Sequence, residues 1–172
     1  MDTYWTWALG GATLPNDAHG NAVVKGVALM AFPSAPGDGT PGSIDITLSA
    51  GEGFAIPFFA FLGNSYSDGT PPDTFAALSV FQTLDISVTL DGVTIVDGSN
   101  VMQYFTEFYF NPAIPLNSPP ANAWIWAQTV GVVHAPLPVG NHVMKMHVRN
   151  TEPAYGFTFE YNNTWNIHVT GR

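Results

Sequence analysis

Polar and apolar residues alternate at period two along most of this chain. Ile44, Ile46 and Leu48 alternate with Ser43, Asp45 and Thr47, and Leu84, Ile86, Val88 and Leu90 alternate with Asp85, Ser87 and Thr89. Such runs predict strands with one buried and one wetted face. Asp91-Gly92 follows, then Val93-Thr94-Ile95-Val96. A two-residue Asp-Gly loop favours a type I′ turn, which predicts a hairpin pairing Leu90 with Val93 and Val88 with Ile95. Residues 54–62 are apolar on both faces and predict a central strand covered on both sides, or an edge covered by a loop, with Pro57 arguing for an edge or a bulge.

Further strands are expected over 104–110, 124–133 and 142–149. The run 155–170 reads as one bent strand or two, with Phe157, Phe159 and Tyr161 pointing one way and Trp165, Ile167 and Val169 forming the next apolar set. Trp5 with Trp7, and Trp124 with Trp126, read as same-face pairs on strands. One helix is expected, over 74–81, capped by Asp73. The Pro-, Gly-, Asn- and Ser-rich connections 33–42, 63–73 and 111–123 read as long loops, a kind that often carries function. The pattern predicts an all-β protein: a single domain over 1–172, a two-sheet antiparallel sandwich of jelly-roll type, with at most one short helix near 74–81.

Composition sharpens this. A chain of 172 residues builds one core without disulfide or metal support. The 17 glycines and 14 prolines suit many short strands joined by tight turns. Thirteen acidic residues face only Lys25, Lys145, Arg149 and Arg172, for a net charge of −9. That balance speaks against nucleic acid and anionic lipid as partners, since both are held by Lys and Arg. The absence of cysteine excludes thiol catalysis and thiolate metal sites. No apolar run is long enough to predict a membrane span. Met1-Asp2-Thr3-Tyr4-Trp5 lacks the basic and apolar regions of a secretory leader.

Candidate chemistry is sparse. His19, His134, His142, His147 and His168 include no His-x-His pair, and His142 and His147 are five apart, on opposite faces of an ideal strand. No metal and no cofactor are expected. Lys145, His147 and Arg149 share one face; they form either an anion site or a set of cross-strand pairs with Glu160 or Glu152, and pairing is favoured. Glu107 lies among aromatics that would desolvate it, and with Glu160 it offers the two carboxyls a glycosidase needs. His142 completes the candidate catalytic set. Asn64-Ser65-Tyr66-Ser67-Asp68-Gly69 reads as a turn, since the closing Glu of a calcium loop is missing. The aromatics Trp5, Trp7, Tyr104, Tyr109, Trp124 and Trp126 are the ligand-binding candidates: exposed, they stack on sugar rings, and turned inward they are core.

A family resemblance rests on pieces that run in order along the chain. They are Trp5-Thr6-Trp7-Ala8-Leu9, Asn16-Asp17-Ala18-His19-Gly20, residues 49–59, Leu90-Asp91-Gly92, residues 104–110, and Pro136-Leu137-Pro138-Val139-Gly140-Asn141-His142. In these the chain resembles a family of largely uncharacterised bacterial proteins usually made with a secretory leader. The resemblance implies a secreted β-sandwich domain and supplies no catalytic residue.

Three functional readings follow. The leading one is a non-catalytic extracellular module that binds a glycan or another surface ligand. The second is a small jelly-roll enzyme acting on a polysaccharide or a small organic ligand. The third is a self-associating structural subunit. The first two part on whether polar groups converge in a concave pocket, and the third shows instead as a broad apolar surface patch.

Overall fold

The alternation is realised as two packed β-sheets, each giving one face to a shared core. The computed structural model describes residues 1–150 and 158–171. Its elements are α1 (Asp2–Ala8), β1 (Ala22–Val24), β2 (Val27–Leu29), β3 (Asp38–Ser49), β4 (Gly53–Tyr66), α2 (Ser79–Gln82), β5 (Asp85–Leu90), β6 (Val93–Asp97), β7 (Phe105–Ser118), β8 (Ala121–His134), β9 (Gly140–Asn150) and β10 (Phe159–Thr170). The first sheet has the order β1-β2-β4-β8-β7 and the second β3-β10-β9-β5-β6. Phe54, Ile56, Phe58, Val130 and Val132 of the first meet Leu48, Val88, Met144, Trp165 and Ile167 of the second in one core. The all-β, two-sheet sandwich expected from the sequence is present.

Strand order refines the class. Hairpins β5–β6, β7–β8 and β9–β10 each stay within one sheet. The row β4-β8-β7 therefore opposes β10-β9-β5, which is the B-E-D against G-F-C order of immunoglobulin-type sandwiches and not the paired Greek keys of a jelly roll. Two pairings are parallel, β3 with β10 and β2 with β4, so both sheets are mixed.

The Asp91-Gly92 turn forms as predicted. Both residues have positive φ, 52° and 80°, and Leu90 stands opposite Val93. One step further the register shifts, and Val88 meets Val96 instead of Ile95. β4 is central between β2 and β8, as its two-sided apolar pattern requires. Its ladder with β8 carries a bulge between Pro57 and Phe59, a place where proline is tolerated.

The amino terminus departs from expectation. Residues 2–8 are a helix, not a strand, so Trp5 and Trp7 do not share a face. Tyr4 is the buried residue, and both indoles meet its ring edge to face, at 5.7 and 5.6 Å. Gly10, with φ 79°, ends the helix by donating its N–H to Trp7 O. α1 covers the outer face of the first sheet, packing Tyr4 with Ala22, Leu29 and Ala55. The helix expected over 74–81 shrinks to the single turn α2. Asp73 does not cap it, because its carboxylate accepts from Asn64 N–H (2.8 Å) and Tyr66 O–H (2.9 Å) instead. The expected loops are shorter too: β3 begins at Asp38, β4 runs to Tyr66, and 111–123 is mostly the β7–β8 hairpin. Phe157 and Glu152 lie outside the described residues.

Candidate binding pocket

The site arises where β2 stops. Met30 N–H still donates to Ala55 O (3.0 Å), but Ala31 O is taken by the Trp165 indole (2.8 Å), which draws the chain towards the second sheet. β4 continues to Tyr66, and among the described residues no strand lies beside it on that flank. Ladder phase tells which groups this leaves free. Gly131 donates to Tyr104 O, on the β7 side, so the alternate residues Val130 and Gln128 turn to β4. Their partners Phe59 and Phe61 spend their backbone groups on β8, and Ala60 and Leu62 direct theirs outward.

Beside this free edge lies a cavity of about 470 Å³. Its walls are aromatic. Phe59 stacks on Phe159 (5.2 Å) and meets Phe61 edge to face (5.1 Å), and Tyr161 lies against Phe159 (5.8 Å). Phe32, Pro33 and Ala35 close the side left by β2, and Trp5 reaches in from α1. The Tyr4 hydroxyl, which donates to Met30 O (2.7 Å), ties α1 to this corner. Burial pushes that phenol well above its usual range, so it stays a neutral donor.

Two polar atoms in the lining are buried without a partner: Asn163 Oδ1 and Trp5 Nε1. Asn163 is 3% exposed and points inward between Tyr161 and Trp165. A Cβ at Gly42 would stand 2.9 Å from its Oδ1, alongside Pro33 and Ala35. Asn163 is the cavity residue that the sequence reading missed. Its signal was parity: it shares the face of Trp165, Ile167 and Val169, yet within Asn162-Asn163-Thr164 it passes for a break between strands.

The six aromatic candidates do not converge. Only Trp5 lines the cavity. Trp7 packs with Tyr4 and Leu14 over the outer face. Tyr104 packs against the main core, and Trp124 against Phe110 and Ile114. Trp126 is 4% exposed, its Nε1–H donating to Asp73 O (2.9 Å). Tyr109 is 66% exposed, with Phe75 beneath its ring at 5.0 Å.

Nor do the catalytic candidates meet. Glu107 is on β7 of the first sheet, where its Oε2 accepts from Gln128 Nε2 (3.1 Å). Glu160 is on β10 of the second and faces His147 Nε2 (3.0 Å). Of the predicted cation stripe, Arg149 pairs with Asp85 (2.8 Å), which stands directly opposite it on β5, and not with Glu160. Lys145 makes no ion pair with a described residue and borders a shallow polar groove with Ser87, Thr89 and Asn162.

His142 sits at the strand start, with Nδ1 2.7 Å from Asp91 Oδ2 and Nε2 3.0 Å from Pro138 O. Both partners are acceptors, so they hold the imidazolium above the usual histidine range, the Asp91 carboxylate most of all. The same contact holds Asp91 below the usual carboxylate range, helped by Val143 N–H. His168 turns to Asn141 (2.8 Å). Among the described residues no three His, Asp or Glu side chains form a metal-sized cluster, and no helix is long and apolar enough to cross a membrane.

No family model and no curated protein matches this chain. Among solved structures, a chain from the structure of PbICP-C in complex with falcipain-2 is similar over 84% of this chain and 98% of that one. Its identity is 12% and its TM-score 0.33, a likeness too slight to carry an argument.

Proposed function

We propose that this protein is a non-catalytic β-sandwich binding module, and that the cavity beside β4 holds its ligand, a glycan or another surface molecule. The observation that carries this reading is the pair of unpaired buried atoms, Asn163 Oδ1 and Trp5 Nε1, in an otherwise aromatic cavity. Leaving a buried polar group unmet costs about 1–3 kcal/mol. A ligand that pairs with these atoms recovers that cost, while the phenylalanine walls supply apolar contact.

The lining speaks against catalysis. Among the described residues that line the cavity, the Tyr161 phenol is the one ionisable or hydroxyl group: no carboxylate, imidazole, amine or other hydroxyl is present. Acid–base and nucleophilic chemistry need such groups within reach of the substrate. Glu107, Glu160 and His142 stand elsewhere, each engaged by a protein partner. The extracellular setting of the module rests on the sequence resemblance.

Ala35→Trp, at the rim, fills the cavity and tests the reading. Screened on a glycan array and a random-peptide library, the parent is expected to bind members of one set. The variant should lose that binding while melting with the parent. Equal binding by both would place the ligand elsewhere, with the Lys145 groove the next site to probe.

A further inference from the structure

We propose that the ligand is an extended, uncharged polypeptide segment that adds to β4 along Ala60–Leu62 as a further strand of the first sheet. The inference rests on the cavity being the binding site and names what it takes. Four observations point to a polypeptide.

The first is the free edge. The backbone groups of Ala60 and Leu62 point away from β8 and meet no partner strand among the described residues, two residues apart, which is the repeat an added strand presents. The second is the wall chemistry. An added strand sends alternate side chains to either face of the sheet, so every second residue would enter the aromatic cavity between Phe59, Phe61 and Phe159.

The third is Asn163. A side-chain amide carries one acceptor and one donor group, and so matches a backbone peptide unit. This molecule already uses such a grip on itself. Gln128, also inward-facing and buried, accepts from Ala76 N–H (2.8 Å) and donates to Ala76 O (3.2 Å), holding an irregular segment against the first sheet. Asn163 has the same chemistry on the opposite sheet, and its Oδ1 has no partner among the described residues.

The fourth is charge. The described residues of the cavity lining carry none, and the chain's net −9 repels anionic ligands. Pro57 also bounds the site, because an edge proline cannot donate to an added strand. The receptive edge is therefore short, which limits unselective pairing.

The test starts from a random-peptide library selected on the full chain. Winners are made as acetylated, amidated peptides, and each backbone nitrogen is methylated in turn. The proposal expects uncharged winners. It also expects N-methylation at alternate positions to weaken binding about tenfold, with little effect at the positions between. Amide exchange at Ala60 and Leu62 of the parent should slow about tenfold on binding. Trp5→Phe, which keeps a ring but loses the N–H, should weaken binding several-fold without lowering the melting temperature. Winners indifferent to N-methylation, or unchanged exchange at Ala60 and Leu62, would overturn the proposal. So would protection of those amides by a second copy of the chain without peptide. If peptides fail but glycans bind in a way that Ala35→Trp abolishes, the polypeptide falls and the binding module stands. If neither probe binds, both fall.

Discussion

Two side-chain amides face the core from opposite sheets, and their surroundings differ. Gln128, on β8, is fully buried, and its donors and acceptor are all spent on Ala76 and Glu107. Asn163, on β10, is 3% exposed and leaves its oxygen unpaired. Both sit in inward rows that are otherwise largely apolar. Burying an amide is tolerable only when its groups are met, so Gln128 is explained by the fold and Asn163 is not. Asn64 Oδ1 is also buried without a partner, but only Asn163 lines the cavity, which makes Asn163 the amide to test for a ligand.

The largest expected effect sharpens the Gln128 side. A Cβ at Gly63 would stand 2.0 Å from Cε2 of Trp126. That indole is fixed by its bond to Asp73 O and by packing on Phe75 (4.9 Å), in the same segment Gln128 holds. Gly63→Ala should cost about 3 kcal/mol or more, read as a collapse of the melting temperature. Melting near the parent would mean the 73–76 segment is loosely held, and the contrast with Asn163 would weaken.

Next comes Gln128→Leu. It removes the partners of both Ala76 backbone groups and frees Glu107 Oε2, and should cost about 2 kcal/mol in denaturant melts. A neutral result would show that the Ala76 segment finds water as readily as Gln128, and that a paired amide is worth nothing here.

The smallest effect concerns Asp91 and His142, a fully paired polar site at the hairpin end. The raised histidine contributes stability that is complete below its ordinary value, about 6.5, and lost as pH rises through its elevated one. The depressed Asp91 contributes above the ordinary carboxylate value, about 3.9, and loses its share as pH falls through the lowered one. The melting gap between the parent and His142→Gln should therefore be widest near about pH 5–6 and narrow towards about pH 9. A gap independent of pH would contradict the ion pair.

Legibility in the sequence followed the physics of each element. The Asp91-Gly92 turn was readable because two consecutive positive φ angles restrict composition sharply. The register beyond it was not, since the shift after Val88 leaves no residue signature. The both-faces apolar run of β4 correctly implied cover on two sides, but not that α1 supplies the outer one. Tyr4-Trp5-Thr6-Trp7 fits strand alternation as well as a short helix, and Gly10-Gly11 was the stop signal that favoured the helix. Residues 111–118 read as loop for their prolines and asparagines. They form the outer part of an edge strand, where proline is permitted. Of the site, the aromatics were visible as a class. Their convergence was not, because the early end of β2 and the free flank of β4 are tertiary facts.

In the binding proposal Asn163 serves a ligand and not the fold. Asn163→Leu replaces the amide by an apolar side chain of the same shape and removes the unmet oxygen. Thermal melting of this variant against the parent tests the claim most directly. The variant is expected to gain about 1 kcal/mol, a rise of about 2–4 °C, and to lose the selected peptide's binding. A variant that melts well below the parent and still binds the peptide would contradict it.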